Sequence, residues 1–242
     1  MSARWILVLA LCVTTGAWET TREVRLGPDG NACGITAPSR PRGKPGMILW
    51  FHGGMRSQNR EKGLTAHQAL LPFADSGSYF LCSPSAFGEE DWLSPQGMAH
   101  ADTLIDYMLS HYPVDSRNIN LAGVSDGCLG VIRYSQVGKR EVNRRVLISS
   151  YPRLALDPGS LSAQGRFASG RWDFLQGGKD RLFPIDQVLP LLREWEKTFP
   201  NTHVHYFPEG EHDFSYYAAN AQELLKTLFS KPGRKNPAPK KR

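Results

Sequence analysis

Along the chain, short dense apolar runs alternate with longer stretches in which apolar residues recur every three or four positions. Met47-Ile48-Leu49-Trp50-Phe51 is five apolar residues in succession. That density leaves no wet face, so it predicts a central strand covered on both sides. Comparable runs at 79–83, 119–122, 146–150 and 172–176 predict further strands, residues 203–207 alternate toward a last one, and 24–26 fit a short first one. Between them, helical spacing appears at 61–71, at 98–108 (apolar at 98, 101, 104, 105 and 108), at 126–137, at 184–199 and at 216–229. Gly- and Pro-rich stretches at 27–31 and 38–46 read as turns. Strand and helix signals alternate without an internal repeat. That is the order of an α/β fold: a mainly parallel central sheet with right-handed crossovers and helices on both faces. Functional groups in such sheets gather at the C-terminal ends of strands, so the residues just after each apolar run deserve the closest reading.

Composition narrows this picture. A chain of 242 residues with 40% apolar content suits one domain, expected over residues 18–230. Residues 1–17 carry Arg4, an apolar run over 5–13 and the small residues Thr15-Gly16-Ala17. This predicts a secretory signal peptide and a secreted protein, the run being too short to span a bilayer; a buried first strand or an amphipathic arm is the alternative. The net charge of +6 belongs to residues 231–242, which hold six basic and no acidic side chains, so the remainder is near neutral. The tail is expected to be a solvated, disordered end, with polyanion binding as a lesser reading, and no nucleic-acid groove is implied. Removing Cys12 with the signal leaves Cys33, Cys82 and Cys128. In an oxidising compartment Cys33 and Cys82 are the expected disulfide, because Cys128 follows the Ser125 turn and faces the interior. No C-x-x-C spacing is present, and neither metal nor organic cofactor is implied.

The run at 119–122 leads into Gly123-Val124-Ser125-Asp126-Gly127. Glycines two before and two after a serine relieve crowding in a tight strand-to-helix turn and lift the hydroxyl above the sheet end. A serine hydroxyl needs a base within about 3 Å to become a nucleophile, and imidazole can take and return that proton. Of seven histidines, His212 follows the final strand in a Gly/Glu loop that can turn the ring back across the sheet end. His203 and His205 sit on the last strand itself, and His52 is better suited to bracing its loop. Asp180, beyond an apolar strand and Gly177-Gly178, is the expected acid that orients His212. A helix N-cap near Pro184 is its structural alternative, and Asp173 and Asp186 are weaker rivals. The backbone N–H of Asp126, at the start of the following helix, is a candidate oxyanion donor. Trp92, Tyr151, Phe183 and Phe214 are candidate pocket or rim residues, and Arg153, Arg166 and Arg171 either meet an acidic substrate or lie on a solvated face.

Four segments together, Phe51-His52-Gly53-Gly54, Gly123-Val124-Ser125-Asp126-Gly127, Gly177-Gly178-Lys179-Asp180 and Gly210-Glu211-His212-Asp213-Phe214, resemble the α/β-hydrolases over residues 45–229. In particular, they resemble single-domain secreted esterases related to polyhydroxybutyrate depolymerases and feruloyl esterases. The resemblance implies an α/β-hydrolase fold with nucleophile, acid and histidine in that order. It also makes the Gly54 amide the second oxyanion donor, with Met55 one position on as the fallback. Asp126 departs from the small or apolar residue often found after the nucleophile. Too little chain separates Tyr151 from Trp172 for a large cap domain, which predicts a shallow site for a short ester or a polymer end. The expected activity is serine ester hydrolysis by a monomer. A thioesterase or peptidase, or a weakly catalytic binding protein on the same scaffold, are the alternatives.

Overall fold

The computed structural model describes residues 17–28, 30–54, 59, 61–86, 92–155 and 165–231. In chain order the elements are β1 (Arg22–Leu26), β2 (Asn31–Thr36), β3 (Gly46–Phe51), α1 (Lys62–Ala66), β4 (Tyr79–Ser83), α2 (Pro95–His111), β5 (Ile119–Val124) and α3 (Asp126–Val137). They continue with β6 (Arg144–Ile148), α4 (Gly165–Ala168), β7 (Arg171–Gly177), α5 (Ile185–Thr198), β8 (Thr202–Phe207), α6 (Phe214–Asn220) and α7 (Gln222–Leu228). Eight strands form one sheet in the order β1-β2-β4-β3-β5-β6-β7-β8. The six strands from β4 to β8 in that order run parallel, and β1 and β2 join antiparallel at one edge.

The unbroken apolar run of β3 is explained by where alternate residues go. Met47, Leu49 and Phe51 enter one core layer, while Ile48 and Trp50 enter the other. The first layer is closed by α2, α3 and α5 through Leu104, Ile105, Met108, Leu129, Ile132, Val188, Leu192 and Trp195. On the opposite face α6 and α7 contribute Tyr217, Leu225 and Leu228. The five apolar positions that predicted α2 are all buried. Ser94 caps that helix by accepting the Gly97 N–H at 2.9 Å, and Pro95 occupies its first turn, where a missing N–H costs nothing.

Several expectations change. β2 was not predicted; it is fully buried, but Gly34 and Cys33 give NACGIT no strand pattern. The strand expected at 146–150 ends at Ile148, because Ser149 turns to φ 53° and leaves the extended region. The single helix expected at 216–229 is two, broken at Ala221 (φ −127°, ψ 30°).

The predicted Cys33–Cys82 disulfide is absent: Cys33, Cys82 and Cys128 are all free and buried. The register opposes Cys82 to Ile35, two residues along from Cys33. Such diagonal neighbours stand about 7–8 Å apart, whereas a disulfide holds its Cβ atoms at about 3.8 Å. Cys33 instead meets His100 Nε2 at 3.2 Å. The proposed signal over 1–17 and the tail over 231–242 lie, but for residues 17 and 231, outside the described residues. Among the described residues no helix is long and apolar enough to cross a membrane. The connection from β6 to β7 contributes a short 3-10 turn at Pro152–Leu154 and the four-residue α4.

Candidate active site

β5 delivers Ser125 at the C-terminal edge of the sheet, and α3 starts one residue later. Ser125 has φ 53° and ψ −125°, a conformation that costs a side-chain-bearing residue on the order of 1–3 kcal/mol. Tight packing holds it there. A Cβ on Gly123 would lie 2.6 Å from the Gly127 carbonyl carbon, and one on Gly127 would run into the carbonyl oxygen of Phe51. The two flanking glycines therefore let β5, α3 and the end of β3 meet without side chains between them. Ser125 N–H donates to the Ile148 carbonyl at 3.0 Å, tying the turn to β6.

The late histidine and the acid reach this hydroxyl from separate loops. His212 Nε2 lies 2.7 Å from Ser125 Oγ, and His212 Nδ1 lies 2.9 and 3.0 Å from the two Asp180 oxygens. With Nδ1–H donating to the carboxylate, Nε2 is left to accept from the serine hydroxyl. Asp180, 4% exposed, also accepts the N–H groups of Leu182 and Phe183, each at 2.9 Å. Burial works to raise the Asp180 carboxyl, but the bonds from His212 and from those two amides outweigh it and hold the group below the usual carboxylate range. Those amides lie in the turn before α5, whose N-cap is Pro184 without a side-chain cap bond, so Asp180 shapes that turn and binds His212 but does not cap the helix.

The rivals go elsewhere. Asp173 lies within β7, completely buried, and pairs with Arg171 and with His205 Nε2 at 3.0 Å. Asp186 is exposed in the first turn of α5, and His203 is exposed on β8. Arg171 is thus committed to Asp173, and Arg166 donates to the Gly138 carbonyl. Arg153 is exposed.

The loop after β3 crosses the serine. A Cβ on Gly53 would stand 3.3 Å from Ser125 Cβ, and Gly54 follows with φ 75°. Met55 lies outside the described residues. His52 braces the loop as expected: Nδ1–H donates to the Gly53 carbonyl at 3.0 Å, Nε2 accepts the Ala86 N–H at 3.0 Å, and its own carbonyl accepts Trp92 Nε1–H at 2.8 Å. Burial pushes the His52 imidazole down to about 4, which keeps it neutral and suits that bonding. Asp126 opens α3 beside Ser125, and its charge acts on His52 against the effect of burial.

Of the four aromatic candidates, Phe183 meets His212 edge to face with ring centroids 4.9 Å apart, and Tyr151 packs on Phe183 at 5.8 Å. Trp92 is a core residue buried against Phe51, and Phe214 is half-buried, packing on Trp50 and Phe73 at the margin of the other core layer. Sequence reading missed Gln176, at the end of β7 and 0% exposed. Its Oε1 accepts the Ser150 N–H at 3.0 Å and its Nε2 donates to Asp180 Oδ2 at 3.4 Å. A polar residue closing an apolar run at a strand's C-terminal end is the signal that marks it. Among the described residues, no group of three His, Cys, Asp or Glu is disposed to hold a metal.

No protein-family model and no curated protein matches the chain by sequence. Solved structures do match in three dimensions. A ferulic acid esterase shares 16% identity at a TM-score of 0.64, over 87% of this chain and 96% of its own. S-formylglutathione hydrolase from Staphylococcus aureus shares 13% at 0.64, over 91% and 100%. MGS-M1, an α/β hydrolase from a Medee basin deep-sea metagenome library, shares 16% at 0.65, over 87% and 98%. At such identities the likeness is one of architecture, and with the sheet order it establishes that the chain has the α/β-hydrolase fold.

Proposed function

We propose that this protein is a serine hydrolase that cleaves carboxylic esters through an acyl-enzyme. The observation that carries this reading is the hydrogen-bonded line from Asp180 through His212 to Ser125 at the sheet's C-terminal edge. Ser125 Oγ attacks the ester carbonyl while its proton passes to His212 Nε2. Asp180 holds the imidazolium in place, and the amides of Gly54 and Asp126 donate to the oxygen that becomes negative. When the tetrahedral species collapses, the bond to the alcohol oxygen breaks and the alcohol leaves with the proton from His212. Water then attacks the acyl-Ser125 ester, giving its proton to His212, and the second collapse releases the acid and restores the Ser125 hydroxyl. Phe183 and Tyr151 beside His212 form an apolar wall for an acyl or aryl group.

The test is a panel of short-acyl, long-acyl and aromatic esters, with a thioester arm, assayed on the parent and on Ser125→Ala. The expected result is turnover of short and aromatic esters that falls by about 10³-fold or more in the variant. Undiminished hydrolysis by Ser125→Ala overturns the mechanism, and preference for the thioester moves the substrate class while keeping the serine. We further propose residues 1–17 as a cleaved secretory signal. N-terminal sequencing of the exported protein is expected to start near residue 18.

A further inference from the structure

Lys62 is the first residue of α1, the helix that follows the Gly53-Gly54 loop. Its backbone has little freedom. The next residue, Gly63, donates its N–H to Ser85 Oγ at 2.8 Å, and a Cβ there would collide with the Pro84 carbonyl. From this pinned start the side chain reaches back over the loop: the point a Cβ would occupy on Gly54 lies 2.6 Å from Lys62 Nζ. The ammonium also acts electrostatically on His52. Lys62 thus sets a positive charge beside the Gly54 backbone, whose amide is one of the two proposed to receive the oxyanion.

Among the described residues no carboxylate lies within ion-pair distance of Lys62, whereas Arg25, Arg42, Arg140 and Arg171 each hold one. Lys62 is half-buried, so part of its hydration is already lost without a partner's compensation, and an anion arriving there would supply it. The Asp126 carboxylate acts on the His52 ring in the opposite sense to Lys62, as its opposite charge requires.

We propose that Lys62 is a specificity-determining residue and that the substrate is an ester bearing a carboxylate close to its scissile carbonyl, such as a half-ester of a short dicarboxylic acid. The carboxylate pairs with Lys62 Nζ while the carbonyl oxygen lies against the Gly54 and Asp126 amides. A lysine suits this because its ammonium is a point charge on a flexible stem and tolerates more than one spacing between carboxylate and carbonyl. This inference rests on the ester-hydrolase reading above.

The experiment compares kcat/KM for monoethyl malonate and monoethyl succinate with that for ethyl butyrate, followed by acid release, in the parent, Lys62→Gln and Lys62→Glu. Rates are expressed per serine titrated by a fluorophosphonate probe, so that misfolded protein does not enter the ratio. The parent is expected to prefer a half-ester. The half-ester to butyrate ratio should fall about tenfold in Lys62→Gln and further in Lys62→Glu, and the parent's ratio should decline with added salt. A ratio equal in all three proteins, with Ser125-dependent turnover of ethyl butyrate retained, overturns the role of Lys62 and leaves the hydrolase reading standing. Turnover of every ester that is indifferent to Ser125→Ala overturns the reading beneath it.

Discussion

At the scale of single residues, the molecule concentrates its polar bonding on Asp180. Four donors converge on that carboxylate, from His212, Leu182, Phe183 and Gln176, while its side chain is shut off from solvent. Asp180→Asn replaces an acceptor-only group by one that also presents N–H, so His212 loses its fixed tautomer. The expected result is a fall in kcat of about 10³–10⁴ with the fold intact, read from steady-state kinetics beside circular dichroism. Gln176 acts one bond further out. Gln176→Leu removes a long charge-assisted bond and leaves the Ser150 amide unmatched, so kcat should drop about fivefold with KM steady. A change in KM with kcat unmoved would contradict a positioning role.

Elements meet at the Ser125 turn with no slack. The C-terminal end of β3, the end of β5 and the first turn of α3 touch through backbone atoms at Gly123 and Gly127. Gly127→Ala is therefore expected to force β3 and α3 apart, lowering thermal stability by several degrees and abolishing fluorophosphonate labelling of Ser125, whereas Ser135→Ala further along α3 should keep labelling. In the core layer that α3 also closes, α5 contributes Leu192 at 0% exposure. Leu192→Ala is expected to cost about 2–5 kcal/mol in denaturant unfolding while leaving the turn at Ser125 undisturbed.

For the whole molecule, buried histidines make stability depend on pH. Burial pushes both His52 and His67 from 6.5 down to about 4, and His100 is lowered by the same cause. The unfolded chain binds these protons first, so stability is full above pH 6.5 and is lost as pH falls toward 4, by about 3 kcal/mol each for His52 and His67. Below that, Asp173 and Asp180 take over. Burial tends to raise both, but their hydrogen bonds hold them low, so their contribution is present above the ordinary carboxylate range and fades as pH falls through their depressed values. Melting temperature measured from pH 7 to 4 should therefore decline steadily. His67→Gln, at a ring held between Thr36 and Ser83, should remove about one proton's slope from that decline. A flat profile in the parent contradicts the buried neutral state.

What was legible in the linear chain is what local pattern controls. Five-residue apolar runs had to be two-sided strands, the spacing 98, 101, 104, 105, 108 had to be one buried helical face, and Ser125, Asp180 and His212 each stood just beyond a strand. Their convergence over 2.7–3.0 Å belongs to the tertiary structure, because strand order in the sheet, not spacing along the chain, brings residues 125, 180 and 212 to one edge. So does everything that depends on a neighbour across space. β2 is a strand because β1 and β4 pair with it, Cys33 and Cys82 stay reduced because register sets them diagonally, and Gln176 and Lys62 acquire meaning only from Asp180 and Gly54 beside them. Periodicity reports which face of an element is dry; only the packed sheet decides which faces and which loop ends meet.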